Sequence, residues 1–378
     1  MSKKNRNVAI SLLILLVVAT SLFIVNFFER KDNDAVKGNL VIWTKSDTYE
    51  YMKKVAEDFM EQNSKANIKV IQVQDGEINS TIAQNNVPDI VQLSSLEIRN
   101  IEKEYDNISF KANEEVINSF SKNYTKARIS EITSEGNLLG IPITSRPLVL
   151  YVREDMLNAY GYTYSEINTW NNLVNIGRDI REKSGGKIGI LNAVGKDYED
   201  LISLLIMQGM EEITDEEAIK NYVNNSLSEL TQAGILNTNK KGEFFARISS
   251  NNGMYELSKI DEKCEWIATN VPSKYNGSNR FYVAEGDNFI VLKNHDKNSK
   301  LIKKFMDYVA NNNTDKEEYI LNGDFYTCFL SAYNTKSIET GINNFSGMSP
   351  IVTMNNIMQK APVIADYDLY VKIKNEYK

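Results

Sequence analysis

The side chains that most often carry out chemistry in proteins are scarce in this sequence. It contains one histidine, His295, in a Lys-Asn-His-Asp-Lys run typical of a solvated turn, and two distant cysteines, Cys264 and Cys328. This inventory excludes a Ser-His-Asp triad and a zinc site built from histidine and cysteine. Paired carboxylates such as Asp47 and Glu285 leave glycosidase chemistry open as an alternative. Most acidic residues lie on predicted helix faces, where solvation explains them, so we predict no catalytic residue, no metal site and no cofactor.

Arg146 stands in residues 136–155, the stretch around which the rest of the chain is organised. Pro142 and Pro147 force the residues before them out of the α region, so the middle of the stretch must be extended. Residues 148–152 are continuously apolar, as in a strand that is buried on both faces. Alternating strands and helices are predicted before and after it. We interpret the stretch as a crossing between two lobes, from which Arg146 projects.

The guanidinium of Arg146 offers only hydrogen-bond donors, in a fork that matches carboxylate or phosphate groups. Enclosed between two lobes, it must be paired, because an uncompensated buried charge is strongly destabilising. The partner is either an acid of the protein, with Asp47, Glu285 and Asp287 as candidates, or an anionic group of a ligand. The sequence leaves both alternatives open.

The residues that precede the crossing show a βαβαβ pattern. Strands are predicted at Asn39–Trp43, Ile68–Val73 and Pro88–Leu93, with helices at Thr48–Gln62 and Ile78–Gln84 between them. Such a pattern predicts a parallel, doubly wound sheet with ligand contacts at the carboxyl ends of its strands. Trp43 ends a strand and is more typical of a core than of a ligand platform. The candidate contacts at these ends are Trp43, Asp47, Ser94 and Ser95.

Length and composition favour two lobes that share the chain rather than two domains on a tether. The chain has 378 residues, with 42% hydrophobic and 25% charged residues, which is ordinary for a globular protein of two domains. With 19 Gly and 6 Pro it has no flexible linker. After the crossing we predict further helices and strands, among them a strand at Phe281–Ala284. A strand at Phe289–Leu292 and a helix at Lys297–Asn311 then return the chain to the first lobe.

The first residues form a separate segment. Lys3, Lys4 and Arg6 precede Val8–Phe28, which is uncharged and long enough to span a bilayer with a cytoplasmic N-terminus. A cleaved signal peptide is the alternative. We expect an uncleaved anchor and a body outside the cell membrane.

The charge of the body limits its partners. Removing residues 1–31 takes five basic and one acidic residue from totals of 43 and 50, which leaves 38 and 49, a net charge of −11. Such a body repels nucleic acid and anionic headgroups. We predict no nucleic-acid partner.

Five motifs together resemble a known family. Their order and spacing are similar to those of family 1 extracellular solute-binding proteins, the receptors of carbohydrate ABC importers, with a distant likeness to maltose-binding protein. The likeness runs from about residue 38 to near the C-terminus. The motifs are Leu40-Val-Ile-Trp43 with Asp47, Pro88-Asp-Ile-Val-Gln92, residues 136–155, Thr169-Trp170, and Asn252-Gly-Met-Tyr255.

The resemblance implies an α/β, two-lobed periplasmic-binding-protein-like (type II) fold that closes on its ligand by hinge motion, here with an N-terminal membrane anchor. Three crossings are expected near 145–148, 285–288 and 332–335. The expected division is 1–37 for the anchor and spacer, 38–146 and 287–333 for the first lobe, and 147–286 and 334–378 for the second lobe.

The resemblance also carries over individual site residues. Asp47 matches an acid that bonds sugar hydroxyls and could also cap the following helix. Tyr255 replaces a tryptophan that stacks on sugars, with a core tyrosine as the alternative. Tyr367 and Tyr370 lie where the family places another aromatic residue. Residues 93–97 lack the aromatic and Asp-Arg features of maltose-binding protein, and Arg146 stands where that protein has an acid. The predicted ligand-binding residues are Trp43, Asp47, Ser94, Ser95, Arg146, Tyr255, Asp287 and Tyr367.

The function that the resemblance implies is that of a receptor rather than an enzyme. We expect a monomeric, membrane-tethered extracellular protein that captures a mono- or oligosaccharide and delivers it to ABC permease subunits. One alternative is a ligand-sensing receptor domain for a membrane signalling partner. Another is a glycan-active hydrolase or lyase that uses paired carboxylates.

Overall fold

The computed structural model describes residues 36–74, 77–78, 87–104, 121–134, 136–238, 243–261, 263–292, 299–312 and 316–377. Three features predicted from the sequence lie outside these ranges: the segment Val8–Phe28, His295, and most of the helix expected at 78–84. Among the described residues, none of the helices combines the length and the apolar character needed to cross a bilayer.

The first sheet has five strands, and its first three confirm the parallel pattern predicted from the sequence. Gly38–Thr44 pairs in parallel with a strand on either side, whereas the last two strands in spatial order run antiparallel to their neighbours. In spatial order the strands are Ala66–Gln72, Gly38–Thr44, Ile90–Ser94, Asp287–Val291 and Ile141–Pro142. The helices of this part of the chain are Tyr49–Gln62, Ser95–Glu104, Lys126–Glu131, Ser299–Asn311 and Lys316–Asn322.

The second sheet also has five strands. Its second strand, Val149–Arg153, is the apolar run predicted to be buried on both faces, and its residues 149–152 are fully buried. In spatial order the strands are Trp266–Asn270, Val149–Arg153, Phe244–Ser249, Gly189–Asn192 and Leu236–Asn237. The helices of this part are Glu154–Ala159, Trp170–Lys183, Lys196–Met210, Glu216–Gln232, Asn251–Ser258, Pro350–Lys360 and Tyr367–Asn375.

Short elements complete the described chain. A small hairpin pairs Thr133–Ser134 with Asn137–Leu138, and its turn contains Gly136 at φ 77°. The 3₁₀ turns are Ser121–Asn123, Tyr164–Glu166, Leu330–Tyr333 and Lys336–Glu339.

The chain passes three times between the two sheets, and two of these passages pair with each other. Arg146 N donates to Glu285 O at 2.8 Å, and Ala284 N donates to Arg146 O at 2.9 Å. The predicted strand at 281–284 is therefore wrong, since those residues make only an isolated bridge from Val283 to Pro147 in the crossing. The third passage runs alongside, because Ser145 N donates to Tyr326 O at 2.8 Å.

The hydrophobic core is continuous from the first sheet to one face of the second. Alternate side chains of a strand point to opposite faces of its sheet. Val149 and Tyr151 accordingly belong to the core that surrounds the first sheet, whereas Leu148, Leu150 and Val152 belong to a separate core. The strand that follows the first crossing thus fixes both layers to each other.

Candidate ligand-binding cleft

Strand directions bring polar residues of both sheets to the crossing. In the first sheet, Asp287 is paired with Ser94, so the start of the antiparallel strand lies at the carboxyl edge of its parallel neighbour. In the second sheet, Ser249 is paired with Val149, three residues after Arg146. The negative charges of Asp47 and Asp200, one from each side, both act on Arg146. We call the region around Arg146 the cleft.

Asp287 joins the cations of the first lobe. Its carboxylate lies 2.9 Å from Lys45 Nζ and 3.4 Å from Arg146 Nη2, and its side chain is fully buried. Burial by itself would raise the pKa of Asp287, but the charges of Lys45 and Arg146 outweigh it and lower that pKa to about 2. Asp287 is therefore ionised throughout the physiological range.

Each cation of this cluster has a second acidic partner. Lys45 Nζ lies 2.9 Å from Glu97, which is held in place by a reciprocal capping box with Ser94 at the start of helix Ser95–Glu104. Arg146 Nη1 lies 3.0 Å from Glu285 Oε1. The sequence had left open whether Arg146 pairs with an acid of the protein or with an anionic ligand. In the described structure its partners are protein acids.

Asp47 has a much weaker set of partners. The nearest is the amide of Gln92, at 3.5 Å from Asp47 Oδ1. Burial, followed by the charge of Asp287, raises the pKa of Asp47 to about 6, although Arg146 and Lys45 act in the opposite direction. Asp47 does not cap helix Tyr49–Gln62, because Thr48 occupies the N-cap position.

The second lobe contributes the first turn of helix Lys196–Met210. Asp197 accepts a bond of 2.7 Å from Arg247, which also lies 2.9 Å from Glu256. Asp200, only 7% exposed, accepts from Ser250 N at 2.8 Å. Burial raises the pKa of Asp200 to about 6 despite this hydrogen bond.

Two further sets of contacts join residues of the two lobes. On one side the ring of Tyr255 lies against Gly323, where an added Cβ would be 3.0 Å from ring carbon Cδ2. On another side Arg99 Nε lies 3.1 Å from Asp368, and the guanidinium of Arg99 is 5.8 Å from the centre of the Tyr367 ring. The lobes therefore touch at more than one point beyond the crossing.

The buried side chain of Arg128 bonds both to the crossing and to residues of the first lobe. Its guanidinium is fully buried and forms an ion pair with Glu131, and it donates to Thr144 O at 3.1 Å and Ser95 Oγ at 3.0 Å. Gly286 passes so close that an added Cβ would lie 2.0 Å from Thr144 O and 2.7 Å from the guanidinium. Only glycine fits there.

The predicted ligand-binding residues fall into two groups. Asp47, Arg146, Asp287 and Ser94 lie together in the cleft, and Tyr255, at 43% exposed, lies on the second lobe at the contact with Gly323. The other three side chains are turned into packing or internal hydrogen bonds. These are Trp43 and Tyr367, which are 7% and 6% exposed in the two cores, and Ser95, whose hydroxyl contacts Glu131, Arg128 and Gly286 O.

Other polar residues of the cleft were not predicted. Lys45 follows a strand directly and could have been noticed there, but Asp200 carries no sequence signal beyond its place in a helical first turn. Their partners are distant in sequence. The residues missed are Lys45, Glu97, Asp197, Asp200, Arg247 and Gly286.

A separate cavity of about 380 Å³ is lined by residues of both lobes. Met207 and Met210, at the other end of helix Lys196–Met210, line it together with Ala127 and Glu131 of the first lobe. We call it the rear cavity. Tyr282 of the second crossing also lines it, and its hydroxyl lies 2.6 Å from Glu211.

Solved structures of sugar-binding proteins share this fold. The MalE sugar-binding protein of Xanthomonas citri matches with a TM-score of 0.68 at 13% identity, over 90% of this chain and 96% of that one. The cyclic α-maltosyl-1,6-maltose binding protein of Arthrobacter globiformis also gives 0.68 at 13% identity, over 90% and 97%. At this level of identity the likeness concerns the fold.

Sequence comparisons give the family. A lactose-binding protein of Rhizobium radiobacter is 27% identical over 119 residues, which is 30% of this chain and 28% of that protein. The chain thus spans less than a third of the length of this curated relative. The family model for the bacterial extracellular solute-binding protein matches residues 43–315. The resemblance seen in the sequence is confirmed, and this chain belongs to the bacterial extracellular solute-binding proteins.

Proposed function

We propose that this protein captures a carbohydrate in the cleft and delivers it to an ABC importer while the segment Val8–Phe28 holds it at the cell surface. The observation that carries the proposal is the meeting of hydrogen-bonding side chains from both sheets at Arg146. A solute placed there contacts both lobes, which is what hinge closure requires. Sugar-binding relatives and structural neighbours support the choice of carbohydrate.

The chemistry of the cleft suits a polyhydroxylated solute. Hydroxyl groups donate and accept hydrogen bonds, and a sugar ring also has apolar faces. Asp47 and Asp200 provide acceptors from opposite sides. Tyr255 offers a ring that is 43% exposed and can stack on an apolar sugar face.

Binding without turnover is the primary test. A thermal-shift screen of the purified protein against mono- and oligosaccharides should find a ligand that stabilises it by about 2.7 kcal/mol at a hundred times its Kd. Asp47→Ala should weaken that ligand at least about tenfold, since a hydrogen bond to a charged group is lost. Asp261→Ala, an exposed aspartate beyond helix Asn251–Ser258, is the matched control and should bind like the parent.

The remaining parts of the proposal have separate tests. Small-angle scattering should give a smaller radius of gyration with the ligand bound, and an unchanged profile at saturation would contradict hinge closure. N-terminal sequencing of the exported protein should find residue 1 rather than a start at Thr20 or Ser21. Cleavage of a bound glycan would favour the hydrolase alternative. Ligand uptake that survives deletion of this protein would contradict the importer role.

A further inference from the structure

We infer that the cleft takes a ligand with a protonated amine, so that the carbohydrate it captures is an amino sugar rather than a neutral sugar or a uronate. The inference rests on the proposed function and adds the charge of the ligand. It depends on which charged groups of the cleft already have partners and which do not.

The cations of the cleft are already neutralised. Lys45 is held by Glu97 and Asp287, Arg146 by Glu285 and Asp287, and Arg247 by Asp197 and Glu256. An anionic ligand would have to displace one of these carboxylates or lie beside it. Displacing Asp287 or Asp197, whose side chains are buried, would leave a carboxylate without its partner, which is strongly unfavourable.

Two carboxylates of the cleft, those of Asp47 and Asp200, are not neutralised in this way. Among the described residues, the hydrogen bonds of Asp47 come from the amide of Gln92 alone, and those of Asp200 come from Ser250. Neither forms an ion pair with a described cation. Lys374 is near enough for its charge to act on Asp200, but its ammonium contacts the hydroxyl of Ser203.

The balance of charge points the same way. Apart from the Arg128–Glu131 ion pair, whose charges cancel, the groups described above for the cleft are seven carboxylates and four cationic groups. They are Asp47, Glu97, Asp197, Asp200, Glu256, Glu285 and Asp287, against Lys45, Arg146, Arg247 and Lys374. Asp200 is only 7% exposed, so water cannot replace a missing partner. A hydroxyl group would satisfy these acceptors with a neutral hydrogen bond, whereas an ammonium group makes the stronger, charge-assisted bond and removes the excess negative charge.

The test uses sugars that differ in one substituent, a 2-hydroxyl replaced by an ammonium group or a hydroxymethyl group replaced by a carboxylate. Isothermal titration of the full chain would compare glucose, galactose and mannose with their 2-amino derivatives and with their uronates, and putrescine and spermidine would serve as amines without a sugar. We expect the amino sugar of one series to bind about tenfold or more tightly than its neutral counterpart, and the uronate of that series not to bind.

Two variants locate the effect. Asp200→Asn keeps an oxygen that accepts from Ser250 N, and Asp47→Asn keeps the shape of its side chain. Each should reduce the preference for the amino sugar about tenfold and change the affinity for the neutral sugar much less. Asp261→Asn, with its exposed side chain, should leave both affinities unchanged. A merely structural role of either aspartate would lower both affinities together.

The outcomes separate this inference from the function on which it rests. A neutral sugar that binds as tightly as its amine, or a uronate that binds better, would overturn the charge assignment and leave a sugar receptor in place. Binding of polyamines without any sugar would overturn the carbohydrate assignment but support the charge of the ligand. Binding of none of these compounds would overturn the charge assignment, and the screen of oligosaccharides would then decide the proposed function.

Discussion

The two ends of helix Lys196–Met210 lie in opposite environments. Its first turn brings Asp197 and Asp200 into the cleft, where charged groups are hydrogen-bonded or ion-paired. Its last turn brings Met207 and Met210 into the rear cavity of about 380 Å³. At 1.5 Å per residue the ends are about 22 Å apart, and both regions lie between the same two lobes. The cleft is fixed by specific partners, whereas the rear cavity has room for change.

This contrast suggests that substitutions will be tolerated very differently at the two ends. When one member of a buried ion pair is removed, the charge of the remaining member is left without a partner and without water. A void has no partner to lose, and its lining can be enlarged without displacing atoms. Four predictions test this contrast, and they are ordered from the largest expected effect to the smallest.

Arg128→Met should have the largest effect, because Arg128 connects Glu131 of the rear cavity with the crossing at Thr144. Its loss leaves the buried carboxylate of Glu131 unpaired, and we expect the free energy of unfolding to fall by about 3–5 kcal/mol. Urea unfolding measures the change. Arg178→Met, an exposed position on helix Trp170–Lys183, should stay within about 0.5 kcal/mol. A loss below about 1 kcal/mol for Arg128→Met would contradict its connecting role.

The same chemical change at both ends tests the contrast directly. Asp287→Asn removes the charge shared by Lys45 and Arg146, and we expect a loss of about 2–3 kcal/mol. Glu211→Gln, at the rear cavity, keeps an oxygen for the Tyr282 hydroxyl and should cost less than about 0.5 kcal/mol. Denaturant midpoints of the two variants give the comparison. Equal losses would show that the cleft is no more constrained than the rear cavity.

Added methyl groups give a third comparison. Gly286→Ala places a Cβ 2.0 Å from Thr144 O, so the crossing must shift, at a cost of about 1–3 kcal/mol. Ala127→Leu extends into the rear cavity and should change stability by less than about 1 kcal/mol in either direction. Thermal unfolding of both variants tests this. A larger loss for Ala127→Leu than for Gly286→Ala would reverse the assignment of rigid and open regions.

The smallest expected effect is the pH dependence that comes from Asp200. Its pKa is raised to about 6 in the folded protein, against about 3.9 in an unfolded chain. Between these two pKa values the folded state therefore binds more protons than the unfolded state. The burial of ionised Asp200 lowers the free energy of unfolding by its full amount above pH 6, and this loss disappears as the pH falls towards 4. Between pH 7 and pH 5 this residue should add about 1 kcal/mol of stability.

Asp200→Asn isolates this contribution from the other titrating groups. The difference in unfolding free energy between parent and variant should change by about 1 kcal/mol from pH 7 to pH 5, with the parent gaining. Glu211→Gln, measured in the same buffers, is the control. A difference that does not vary with pH would mean that Asp200 is ionised in the folded protein throughout this range.

Local rules accounted for much of the fold. The apolar strand at 39–43, the helix that ends at Gln62 and the crossing set by Pro142 and Pro147 all depend on neighbours in sequence, and the structure has each of them. The central strand Phe244–Ser249 was not predicted. Arg247 interrupts its apolar pattern, and the acids that neutralise this arginine come from two other elements.

The candidate cleft was less accessible to sequence analysis. Lys45 and Asp287 are separated by 242 residues, so no spacing rule can pair them. Asp47 was found from its place after a predicted strand and again through the family resemblance. Asp200 was not found, because an aspartate in the first turn of a helix is usually a solvated one. Trp43 and Tyr367 illustrate the opposite error, since an aromatic residue at a strand end or helix start can equally well belong to the core.

The position of strand Asp287–Val291 has a consequence for how the chain is made. It lies between Ile90–Ser94 and Ile141–Pro142, so the first sheet stays incomplete until the ribosome has added all of the intervening second lobe. At about 5–20 residues per second this interval lasts roughly 10–30 s. During it the edge of Ile90–Ser94, whose residues are all buried in the finished protein, has no partner, and unpaired apolar edges invite aggregation. The first sheet therefore cannot cover this edge before the residues between its third and fourth strands have been synthesised, and the nascent chain is most exposed to aggregation during this interval.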